Sequence, residues 1–97
     1  MGKATDPQTL AEALEAGLWL QARRRALGLS QLDLAQRLGK TASWVAGVEN
    51  GRARVPPRSW REWAAALEIE PRILARELLR RLEPEVASLV LARMDNA

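Results

Sequence analysis

The amino-acid sequence predicts an all-α protein of five or six helices. Three observations carry this expectation. Leu, Ala, Arg and Glu, all good helix formers, dominate the 97 residues. No run of β-branched or aromatic residues alternates with polar ones as a strand requires. Apolar positions recur instead at three- and four-residue spacing, between Pro, Gly, Ser and Thr residues standing where helices begin and end.

Asp6-Pro7 joins a capping residue to a Pro at the first helical position, opening a helix that runs to about Leu27. Leu10, Leu14, Leu18 and Leu20 form its expected buried side, and Gly17 marks either a bend or a join between a leader and the first true helix. Gly28 stops it. Ser30 caps a short helix over 31–38, with Leu34, Ala35 and Leu38 on one face, which Gly39 closes in a left-handed conformation. Thr41 caps the next helix, 42–50, whose Val45 and Val48 face inward and which ends at Asn50-Gly51. Residues 52–58 (RARVPPR) form a basic, Pro-bearing loop. A fourth helix, about 59–68, carries Trp60, Trp63, Ala64 and Leu67 on one stripe. Helices of about 71–82 (Ile73, Leu74, Leu78, Leu82) and 85–94 (Val86, Leu89, Val90, Met94) follow, with Pro71 and Pro84 at their starts.

The length suits one domain, 1–97. With no Cys and no His, the chain lacks disulfides, thiolate and imidazole metal sites, Ser–His and Cys–His catalysis, and the usual pH switch. Ser30, Ser43, Ser59 and Ser88 have no imidazole base, and the pairs Glu68/Glu70 and Glu83/Glu85 flank prolines at helix starts, where acids suit the helix dipole. No enzymatic activity, metal or cofactor is expected. No stretch approaches the ~18 apolar residues of a membrane span, and the first residues offer neither a signal peptide nor a myristoylation site. A cytoplasmic location is the expectation.

The informative feature is the order helix, tight Gly turn, helix within 30–51, the helix-turn-helix arrangement. The stretch LGLSQLDLAQRLGKTASWVAGVENG (27–51) resembles the Cro/CI-type (XRE) helix-turn-helix of phage and bacterial repressors. Arg24, Gly-Leu-Ser-Gln (28–31), Leu-Ala (34–35), Leu-Gly (38–39), Val45, Val48, Glu49, Gly51, Ala64 and Leu67 all stand at the family's spacing. The resemblance covers roughly 18–69 and implies a lambda-repressor-like DNA-binding core there, leaving 70–97 as C-terminal helices for dimerisation. It implies that Gln31 contacts a phosphate and helps hold the recognition helix. Lys40, Thr41, Ala42, Ser43, Trp44 and Gly47 would occupy the turn and outward face of that helix, where bases and phosphates are met. Asn50, Arg52, Arg54 and Arg58 would approach the flanking backbone or minor groove, and Arg24 and Glu49 would form a buried ion pair.

Departures qualify this. Family members often carry Gln, Asn or Arg where this chain has Ala42, Ser43 and Gly47, so only one hydroxyl remains for direct readout among the three. Gly47 costs about 1 kcal/mol in mid-helix, and either close approach to DNA accounts for it or nothing does. Trp44 either packs over the helix junction or touches DNA. Arg23 and Arg25 are equally well read as a solvated helix face.

The net charge of +3 conceals a pattern. Residues 23–61 carry nine basic side chains against Asp33 and Glu49, or +7, whereas 1–22 and 62–97 each sum to −2. Arg52, Arg54, Arg58 and Arg61, with no acid interspersed among them save Glu62 beyond, suit a phosphate contact set. Double-stranded DNA is the expected partner, with no membrane or small-molecule effector. Leu82, Val86, Leu89, Val90 and Met94 supply more apolar surface than a small core needs, so a homodimer is expected; the other reading is that these helices only close a monomer's core. The functional expectation is a sequence-specific repressor or autoregulator on an inverted repeat. The alternative is an antitoxin or adaptor that grips a protein partner, a toxin for example, through the C-terminal helices.

Overall fold

The computed structural model describes residues 6–95, with side chains as far as Ala92. Six helices follow in order: α1 (Pro7–Ala26), α2 (Gln31–Leu38), α3 (Ala42–Glu49), α4 (Trp60–Ala66), α5 (Pro71–Leu82) and α6 (Pro84–Asp95), with a 3-10 turn at Pro57–Ser59 leading into α4. No strand occurs among the described residues.

Local chemistry sets most of the helix ends. The Asp6 carboxylate accepts the Gln8 N–H at 3.0 Å ahead of Pro7. Ser30 and Asp33 form a reciprocal capping box, with the Asp33 N–H donating to Ser30 Oγ at 3.0 Å and the Ser30 N–H to the Asp33 carboxylate at 2.9 Å. Those bonds hold the exposed Asp33 carboxyl below the usual carboxylate range. Thr41 Oγ1 accepts the Trp44 N–H at 3.1 Å and starts α3. At the turn before it, Gly39 adopts φ +67°, which lets the Lys40 N–H reach back to the Ala35 carbonyl at 2.9 Å and turns the chain sharply from α2 into α3. Glu70 is the N-cap of α5, accepting from the Arg72 and Ile73 N–H groups at 2.9 and 3.2 Å.

The core gathers Leu20, Leu34, Val45, Val48, Trp63, Leu67, Leu74 and Leu78, each at most 2% exposed. α2 packs on α3, α1 lies across both α3 and α5, and α4 and α6 both rest on α5. Through Leu74, Leu78 and Leu82, α5 belongs to the same core as the helix-turn-helix.

Several expectations are corrected. α1 is one continuous helix through Gly17, with no join there. Of its expected leucine series only Leu20 is buried, beside Ala13, Ala16 and Gly17, whereas Leu10, Leu14 and Leu18 are 45%, 42% and 50% exposed. The reason is distance. A Cβ on Gly17 would lie 2.5 Å from the Glu49 carbonyl oxygen and nearer still to that of Val48, so α1 meets the end of α3 backbone to backbone, where no leucine fits. α4 is shorter than 59–68 because Glu68 turns left-handed, φ +57°, just beyond its end. Leu82 is 4% exposed within the core and cannot serve an interface between copies. Ile73 points outward, and in α6 it is Ala87 and Leu91 that are buried, leaving Val86, Leu89 and Val90 exposed. The Met94 side chain lies outside the described residues.

The same substitution at two glycines should act in opposite directions. Gly17→Ala forces apart two backbones, an overpacking cost at or above the top of roughly 1–3 kcal/mol, so thermal denaturation should show Tm falling by about 10 °C or more. At Gly47, where a Cβ meets only Arg52 Nη2 at 4.0 Å, alanine should raise stability by up to about 1 kcal/mol.

Candidate nucleic-acid interface

The interface is organised from beneath, by one buried charge. Glu49, the last residue of α3, is 2% exposed. Arg24 of α1 grips it with two prongs, Nε to Oε2 at 2.6 Å and Nη2 to Oε1 at 2.9 Å, and donates through Nη1 to the Leu29 carbonyl at 2.7 Å. Gln31 of α2 and Gln21 of α1 donate their amides to Oε1 at 3.0 and 3.3 Å. Burial pushes the Glu49 carboxyl up, but the bonds from Arg24, Gln31 and Gln21 pull harder, and the net direction is down. The bond to Glu49 likewise raises Arg24. Three helices thus meet at one carboxylate, with the loop after α1 held to them through Arg24, and this sets the pose of α3.

Gln31 is therefore half-buried, with its amide nitrogen turned to Glu49; what it offers outward is the first turn of α2. At the turn, Lys40 is exposed and its Nζ stands 5.3 Å from the centroid of the Trp44 ring. Trp44 is half-buried and packs at 5.8 Å, tilted by 47°, on the fully buried Trp63 of α4. Thr41 and Ser43 are exposed, and Ala42 is half-buried. Gly47 is buried, and Asn50, exposed at the end of α3, accepts the Arg52 N–H on Oδ1 at 3.3 Å.

The basic residues sort into two sets. Arg54, expected in the phosphate set, is tied down instead: Nη2 donates to the Leu82 carbonyl at 2.9 Å and to Glu83 at 2.8 Å, fixing the loop after α3 to the end of α5. Its acid lies 29 residues away in sequence, so no local pattern reveals it. Arg37 binds the Ala66 carbonyl at 2.9 Å and Glu68 at 3.0 Å, holding α2 to the end of α4. Sequence reasoning assigned Arg37 no role. Arg23, Arg25, Lys40, Arg52, Arg58 and Arg61 remain exposed, with no carboxylate partner among the described residues. No cluster of candidate metal ligands occurs among the described residues, and no described helix is long and apolar enough to cross a membrane.

Comparison with known proteins agrees with this geometry. A family model described as a helix-turn-helix domain matches residues 15–78. Among solved structures, the chain is similar to the restriction-modification controller protein C.AhdI from Aeromonas hydrophila, with 42% identity and a TM-score of 0.62 over 67% of this chain and 94% of that one. No curated protein sequence matches the chain significantly.

Arg24→Ala should cost roughly 3–5 kcal/mol in denaturant unfolding, because it strands a buried carboxylate. The pH dependence follows from the lowered Glu49 value. Its contribution is complete above the ordinary Glu range, near 4.3, and is lost as pH falls through the lower folded value. Glu49→Gln should be less stable at neutral pH and show a flatter acid limb; an unchanged limb would remove Glu49 as its source.

Proposed function

The chain belongs to the helix-turn-helix family of Cro/CI (XRE) type, a family of DNA-binding regulators, and from that premise we propose that it is a sequence-specific transcriptional repressor or autoregulator. In this reading α3 enters the major groove of double-stranded DNA, and two copies bind an inverted repeat. The observation that carries it is the sorting of the basic residues. Arg24, Arg37 and Arg54 are engaged by acids and carbonyls of the fold, while Lys40 just before α3, Arg52 just after it and Arg58 further along the loop stand exposed with no carboxylate partner among the described residues.

The groove is about 12 Å wide and admits a helix whose outward residues are as small as Ala42, Ser43 and Ala46. Lys40, Arg58 and the first turn of α2 at Gln31 meet phosphates, Thr41 and Ser43 lie at the base edges, and Asn50 and Arg52 follow at the far end of α3. Trp44 acts through Lys40 and stays off the DNA. The likeness to a controller protein supports the regulatory role.

For the pairing of copies, Val86, Leu89 and Val90 of α6 offer an apolar face, Leu89 being 84% exposed. It borders an open groove of about 660 Å³ lined by Trp60, Ile73, Leu79 and Leu91 among others. Binding an inverted repeat requires that a second copy on this face set the two α3 helices about 34 Å apart, in successive major grooves. The same face would serve a protein partner if the chain were an antitoxin or adaptor.

Titration of the upstream promoter duplex against a random duplex at several salt concentrations separates the two readings. A regulator should show a steep linear fall of log K with log salt and a preference of about 10³ or more, whereas equal weak affinity for both duplexes favours the protein-binding alternative. Lys40→Ala and Arg58→Ala should each weaken all duplexes alike and lower the slope by about 1, while Ser43→Ala should change preference at one base pair. Leu89→Asp should yield a single-protomer mass in light scattering and lose affinity for the inverted repeat. A wild-type mass of one protomer at micromolar concentration would end the dimer proposal.

A further inference from the structure

Gly47 lies about 200° around α3 from the inward Val45, which places it on the outer face of the helix, yet it is buried. Apart from residues 46 and 48 and the backbone of α3 itself, a Cβ built on Gly47 has one heavy atom within 4 Å, Nη2 of Arg52 at 4.0 Å. Arg52 follows the end of α3, and its backbone N–H donates to the Gly47 carbonyl at 2.8 Å and to Asn50 Oδ1 at 3.3 Å. The Ala53 N–H reaches the same Gly47 carbonyl at 3.2 Å. These bonds fold the chain back so that the guanidinium lies along the outer face of α3 at residue 47. Arg52 is itself exposed and has no carboxylate partner among the described residues, unlike Arg54 two positions on, which is held by Glu83.

We propose that Arg52 is a specificity-determining residue: it supplies from the following loop the long polar side chain that α3 lacks at position 47, and its guanidinium reads a guanine through O6 and N7 in the major groove. This rests on α3 being the DNA-reading helix. The planar fork of an Arg matches the two acceptors that guanine alone presents there. An Arg already turned along the helix face also loses less freedom on binding than one pointing into water. The arrangement gives Gly47 a role, because a long side chain there would take the space the guanidinium occupies. It also moves Arg52 from the backbone-contacting set into the base-reading set.

The test is selection of bound sequences from a duplex library with a randomised centre, run with the wild type and with Arg52→Lys. Lys keeps the positive charge and loses the fork. The wild type should select a motif with an invariant guanine in each half-site. Arg52→Lys, shown by thermal denaturation to be as stable as the wild type, should select the same motif with preference at that guanine lowered by about tenfold or more, and with an unchanged salt slope on random duplex. An identical motif of identical strength for the two proteins would overturn the assignment, leaving Arg52 a phosphate contact and the DNA-binding reading intact. If the wild type selected no motif at all, both the assignment and the sequence-specific reading would fall together.

Discussion

The carboxylate of Glu49 is the point on which the arrangement of the motif depends. Carrying a charge out of water costs several kcal/mol unless the surroundings replace what water supplied. Here the replacement comes from two helices: a guanidinium and an amide from α1, and an amide from α2. None of these donors can shift without leaving the charge less satisfied. A buried ion pair of this kind adds little net stability over a well-packed apolar cluster, but it allows few alternative poses of the helices that meet at it. The close passage of α1 over the end of α3 at Gly17 belongs to the same constraint, since it brings Arg24, two turns further along, within bonding reach of Glu49.

A similar economy runs through the other arginines. Arg37 ties α2 to the carbonyl end of α4, Arg54 ties the loop after α3 to the carbonyl end of α5, and Arg24 reaches the loop after α1 as well as its carboxylate. Arg37 and Arg54 each place a cation at a carbonyl near the C-terminal end of a helix, where the dipole favours it. Each also joins segments distant in sequence. The basic centre of the chain is thus two populations with different work, one holding helices together and one facing solvent around α3.

How much of this was legible depended on the range of the interaction. Ser30, Gly39 and Thr41 announced their roles because a cap or a left-handed turn is settled within a few residues, and the all-α class followed from the same local signals. The face that α1 buries was misread, because leucine spacing says which side is more apolar and not how near the neighbouring backbone lies; at Gly17 the nearness decides. The ion pair of Arg54 was not foreseen because its acid, Glu83, belongs to another helix end altogether. The stop at Gly51, with φ +83°, was legible and turns the Arg52 N–H back onto the Gly47 carbonyl, but no local pattern says where the Arg52 guanidinium then comes to rest. Arg24 and Glu49, by contrast, were paired through a family resemblance, because nothing in their own spacing of 25 residues points from one to the other.

Trp44 has a consequence of another kind. Its indole lies between Trp63, sealed in the core, and Lys40, open to water. The emission of such a ring is sensitive both to the rigidity beneath it and to the charge and hydration above. A polyanion drawn to Lys40 would change the upper surroundings while the lower remained fixed. The unlabelled chain therefore holds a native optical reporter beside the turn between α2 and α3, read above the emission of Trp19, Trp60 and Trp63.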